Sequence, residues 1–91
     1  MTLAEKFAQF DAANPAVYHM FKRFANDLIA AGRQKLSASL IIERIRWEVI
    51  VATMSDDKFK LSNNHTAFYA RKFMVDFPQH DGIFATREQA V

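Results

Sequence analysis

Along most of the chain, apolar residues recur three and four positions apart, the spacing that lines one face of a helix. Val17, Met20, Phe21, Phe24, Leu28 and Ala31 form one such stripe. Asn14-Pro15 opens it, because Asn accepts from the first free amides and Pro lacks a donor that would be orphaned at the first helical position. Gly32 supplies a left-handed stop. A shorter helix is predicted over the first twelve residues: Thr2 and Glu5 have capping-box spacing, and Leu3, Phe7 and Phe10 keep helical periodicity. It reads as a helix that docks on the rest.

The next helix runs through "LIIERIRWEVIVATM", capped by Ser37 or Ser39, and is apolar on two sides. Ile41, Ile42, Ile45, Val49 and Ala52 make one stripe, while Leu40, Trp47, Val51 and Met54 make another roughly opposite. Two readings follow. Either this is a central helix sandwiched between the N-terminal segment and the last helix, or the Trp47 stripe stays exposed and pairs with a second copy or a partner protein. Glu43, Arg44, Arg46 and Glu48 separate the stripes, as solubilising and orienting charges.

"SDDKFKLS", residues 55 to 62, breaks the helical period, and Phe59 and Leu61 alternate around Lys60 like a short strand. A second strand is expected from Ile83 to Arg87 after the turn at Gly82, so the two could pair as a ribbon. Between them, Ser62, Asn63 or Asn64 caps a helix running to about Phe77, ended by Pro78, and residues 88 to 91 read as a tail. The fold class expected is mainly α: one domain over residues 1–91, with a three-helix core, a short N-terminal helix and a minor two-stranded β ribbon. Strand residues after the third main helix suit a wing, so the outline is winged-helix-like by analogy.

That last main helix raises the functional question. Ala67, Ala70, Phe73, Met74 and Phe77 occupy the arc expected to face the core. His65, Phe68, Tyr69 and Lys72 fall on the opposite arc, with Arg71 and Asp76 near its borders. The overall net charge is only +2, yet Lys58, Lys60, Arg71 and Lys72 lie in a stretch from Lys58 to Val75 that contains no acid. Cations for phosphate, Asn63 and Asn64 at a helix N-terminus, and rings that stack or touch sugars make a nucleic-acid-binding surface. The competing reading covers Phe68 and Tyr69 with the N-terminal segment or the 83 to 87 strand and leaves the cations solvated. A simple helix-turn-helix joins its helices by about three or four residues, whereas residues 54 to 62 intervene here.

Catalytic chemistry finds no foothold in the sequence. There is no Cys, so neither a thiol nucleophile nor a thiolate metal site. His19, His65 and His80 lie on separate predicted elements without metal-ligand spacing. Asp56-Asp57 lacks a calcium-loop ladder, and two glycines, Gly32 and Gly82, cannot form a phosphate-cradling loop. No cofactor is expected. The N-terminus has no unbroken apolar run, so neither signal peptide nor membrane span is predicted, and a cytoplasmic location is expected. Nine Phe, two Tyr and one Trp supply core volume that a small domain needs.

The segments "LSASLIIERIRWE", "FKLSNNHTAFYARKFM" and "GIFATR" resemble a group of small uncharacterised proteins encoded in phages and prophages. The resemblance covers about Phe10 to Arg87 and brings no catalytic or ligand residues. It implies action in the cytoplasm of a bacterial host, with DNA-binding regulation and inhibition of a host defence system such as a CRISPR effector as common roles. The leading expectation is DNA binding through residues 58 to 72. The alternative is an inhibitor or adaptor that docks on a host protein through Trp47, Val51, Met54 or the Tyr69 face, with homodimerisation compatible with either.

Overall fold

The computed structural model describes residues 2–53 and 64–84. Within them the protein is mainly helical: α1 (Leu3–Ala13), α2 (Pro15–Ala30), α3 (Ala38–Thr53) and α4 (Asn64–Asp76), then a 3-10 turn over Pro78–His80. Each visible boundary has a local cause. Thr2 Oγ1 accepts from the Glu5 amide at 3.1 Å, the predicted cap of α1. Ser37 Oγ accepts from the Leu40 amide at 3.2 Å at the start of α3. Gly32 takes φ 93° after α2, and the Arg33 amide donates back to the Leu28 carbonyl at 3.1 Å. Asn14 behaves differently from the expectation. Its side chain makes no cap on α2 and instead donates to the Phe10 carbonyl at 3.0 Å, closing α1.

The core sits where α2, α3 and α4 meet. Val17, Phe21 and Ala25 come from α2, Ile41, Ile42 and Ile45 from α3, and Tyr69, Ala70 and Phe73 from α4, all buried. Phe21 is central to the aromatic packing, lying 5.7 Å from the Tyr69 ring and 5.5 Å from the Phe84 ring. Full burial of a side chain of this size contributes about 1.5–3 kcal/mol. The Ile41/Ile42/Ile45 stripe therefore anchors α3 as the periodicity predicts.

Two architectural expectations change. The helices that each pack on three others are α2 and α4, whereas among the described elements α3 meets α2 and α4 but not α1. The second change concerns the ribbon. Among the described residues there is no strand; Phe84 makes a single parallel bridge with Leu36, whose amide donates to the Ile83 carbonyl at 2.9 Å. That bridge ties the segment after the 3-10 turn to the α2–α3 connection, where Leu36, Ile83 and Phe84 are buried. The proposed ribbon partner around Phe59 and the strand beyond Phe84 lie outside the described residues.

Candidate functional site

The α4 arc predicted to face outward does not do so. Tyr69 is 0% exposed and His65 is buried, because α1 lies across them. Phe7 stacks on Phe68 at 5.1 Å and meets Tyr69 edge-on at 4.8 Å, while Phe10 packs on His65 at 4.8 Å. Lys72 pairs with Asp11 and lies 4.3 Å from the Tyr18 ring centre. The physical reason for the correction is mutual need: α1 has two rings and a carboxylate to place, and this arc of α4 offers rings and an ammonium.

Burial has electrostatic consequences there. It pushes the Tyr69 hydroxyl well above its ordinary pKa, with the Asp11 charge adding to the rise. It lowers the His65 pKa and so favours the neutral imidazole. Among the described residues, the Tyr69 hydroxyl and His65 Nδ1 have no hydrogen-bond partner. Nearby, Tyr18 donates to Asp76 at 2.5 Å, and its pKa is raised by burial first and by this bond second.

Of the other residues predicted to meet nucleic acid, Arg71 is exposed, with its guanidinium 5.7 Å from the Phe68 ring centre. Asn64 is the first residue of α4. Lys58, Lys60 and Asn63 lie outside the described residues. The structure thus brings His65, Phe68, Tyr69 and Lys72 together, but as the seat of α1.

The second face of α3 is where the apolar surface is open. Trp47 is 63% exposed, Leu40 59% and Val51 57%, and Ile50 joins them at 46%. Met54, expected in the same stripe, lies outside the described residues. Ile50 was legible only as the residue three positions after Trp47, and the opposed stripes of the sequence did not include it. The charges on this face are matched on their own helix: Arg44 bonds Glu48 at 2.8 Å, and Arg46 pairs with Glu43. Such exposed pairs add only a few tenths of a kcal/mol each. Their larger effect is to leave the face without net charge.

One edge of that face opens into a groove of about 290 Å³ between α2 and α3, with Phe24, Leu28 and Ile41 in its wall. The guanidiniums of Arg23 and Arg44 lie 5.8 and 5.7 Å from the Phe24 ring centre. Asp27 and Glu48 complete the rim, so cations and acids balance there too. Sequence spacing alone did not join Phe24 to Arg44, because the contact crosses between helices. Among the described residues no cluster of His, Asp or Glu could hold a metal ion, and no helix is long and apolar enough to cross a membrane. Comparison of the chain with protein families, with curated proteins and with solved structures finds no match, and the arrangement of these two faces is what bears on function.

Proposed function

We propose that the protein acts by binding, without catalysis, and that it docks on a partner protein through the outer face of α3. The observation that carries this is the exposure of Trp47 together with Leu40, Ile50 and Val51 on one helix face. A contiguous apolar patch of a few hundred Å² is where a monomer commonly keeps a functional contact, and Trp is a favoured anchor in such contacts. With Arg44, Glu48, Glu43 and Arg46 already matched, the face suits an uncharged, apolar partner surface with a recess for an indole. A polyanion gains nothing from it.

The nucleic-acid reading has lost its rings and Lys72 to α1, and it retains Arg71 and the segment around Lys58 and Lys60. The winged-helix outline plays no part in the docking reading. Given the phage-related origin implied by the resemblance, the partner is a host protein and the site of action the host cytoplasm.

The test is capture from nuclease-treated host lysate, identification of the retained protein, and measurement of binding between the two purified components. Trp47→Ala should weaken that binding by about 2–4 kcal/mol with an unchanged far-ultraviolet spectrum. Retention that vanishes on nuclease treatment, or an affinity indifferent to Trp47→Ala, refutes the proposal.

A further inference from the structure

The groove between α2 and α3 carries charges that the Trp47 face does not use. Its volume is about 290 Å³, and among the described residues its lining comes from these two helices alone. Phe24 and Leu28 are half-buried in its wall beside the buried Ile41, so solvent reaches an apolar surface there. Arg23, Asp27, Arg44 and Glu48 stand around that surface. Arg44 and Glu48 satisfy each other at 2.8 Å. Arg23 and Asp27 are exposed and one turn apart on α2, yet among the described residues neither side chain has an ion pair. The Arg23 guanidinium lies instead against the Phe24 ring, 5.8 Å from its centre.

The rim therefore offers one unmatched cation and one unmatched anion beside an apolar wall, with no net charge. A simple anion would meet Asp27 as well as Arg23, and a simple cation would meet Arg23 as well as Asp27. A zwitterion gives each its opposite. Side chains four positions apart on a helix are about 5–6 Å apart at Cβ, so the two ligand charges have to sit close together on one small molecule. Size narrows the class further. Pockets for drug-sized ligands and cofactors run from about 300 to 1,000 Å³, and a groove at the bottom of that range has room for one side chain and its head group.

We infer that this groove is a binding site for a free apolar α-amino acid. Its carboxylate takes the Arg23 guanidinium, whose planar fork matches a carboxylate, and its ammonium takes the Asp27 carboxylate. Its side chain lies on Phe24, Leu28 and Ile41 and leaves water there. Arg44 lies 5.7 Å from the same Phe24 ring centre and stays held by Glu48. The site needs no partner protein, so it stands apart from the docking reading.

An NMR titration of the full isotope-labelled chain with L-phenylalanine tests it. Saturable shifts are expected at the amides of Phe24, Leu28 and Arg44, half-complete at about 1 mM or below. Glycine has both charges without the side chain, N-acetyl-L-phenylalanine lacks the ammonium, and L-phenylalaninamide lacks the carboxylate. Each should bind at least tenfold more weakly. Arg23→Gln should weaken phenylalanine at least tenfold and leave the amide where it was, and Asp27→Asn should do the same for phenylalanine while leaving the N-acetyl form where it was. Both positions are exposed, so neither change should alter the far-ultraviolet spectrum. Trp47→Ala should bind phenylalanine as the wild type does, so failure of the docking reading would not move this result. Phenylalanine that does not saturate, a blocked form that binds as well as phenylalanine, or indifference to either charge variant overturns the inference.

Discussion

Removing the Tyr69 hydroxyl should make the protein more stable. The ring is 0% exposed and packs against Phe7, Tyr18 and Phe21, contacts that Phe at this position retains. The hydroxyl has no hydrogen-bond partner among the described residues, although Asp11 is close enough for its charge to raise the Tyr69 pKa. A buried hydroxyl left unpaired costs about 1–3 kcal/mol relative to its hydrated state in the unfolded chain. Tyr69→Phe removes that cost and leaves a void near one water probe in size, ~10–15 Å³. At ~24 cal/mol per Å³ the void costs roughly 0.3 kcal/mol. The net gain is therefore about 0.7 kcal/mol at the lower end, or roughly 3–6 °C in Tm for a domain of this size. Tyr18 provides the opposite case. Its ring is also buried, but its hydroxyl donates to Asp76, so Tyr18→Phe should lose about 1–2 kcal/mol. Urea and thermal unfolding followed by circular dichroism read both, with equal m-values as the check that only stability changed. Tyr69→Phe destabilising to the same extent as Tyr18→Phe would refute the reasoning, since it would mean that the Tyr69 hydroxyl is satisfied.

The two faces of α3 should respond unequally to truncation. Ile45→Ala, at a fully buried position, should cost about 2–5 kcal/mol, and Val51→Ala, 57% exposed before truncation, should stay within ~0.5 kcal/mol in the same urea titrations. Stability should also fall below about pH 6.5. Burial lowers the His65 pKa, so the unfolded chain takes up a proton that the native chain does not, and the loss continues until pH passes below the native pKa. The slope from this group is at most ~1.4 kcal/mol per pH unit. His65→Leu should flatten it by that amount in unfolding midpoints measured between pH 7.5 and 5, and an unchanged slope would count against a neutral buried imidazole.

Local signals carried most of the helical plan. Thr2 with Glu5, Ser37, Pro15 and Gly32 act within a few residues of where they stand, so their geometry follows from spacing. The Ile41/Ile42/Ile45 stripe and Phe73 were core on periodicity alone, and they are buried. What periodicity could not supply was the partner of each second face. Helical wheels assign a residue to a side of its own helix and say nothing of which neighbour arrives there. Leu36 with Phe84, and Phe24 with Arg44, are likewise contacts between distant segments, which no local pattern encodes.

The decisive ambiguity was that α3 and α4 each carry a second apolar or aromatic face, while among the described residues there is one spare short helix to cover them. Charge resolves the choice. On α3, Arg44 is engaged by Glu48 and Arg46 by Glu43, so an arriving carboxylate finds no unclaimed cation between the apolar residues. On α4, Lys72 stands beside aromatic rings in the long stretch without acids, and Asp11 from α1 meets it across 61 positions of sequence. The same absence of acids that suggested a phosphate-binding surface is thus what attracts the acidic side of α1. Partly buried beside the Tyr18 ring, the Asp11–Lys72 pair is less screened than a fully exposed pair, and the aromatic contacts around Phe7 add to it. Once α1 is spent on α4, the Trp47 face of α3 has no claimant among the described helices. Among the described residues, that allocation leaves open an apolar face centred on Trp47 whose charges are paired on its own helix.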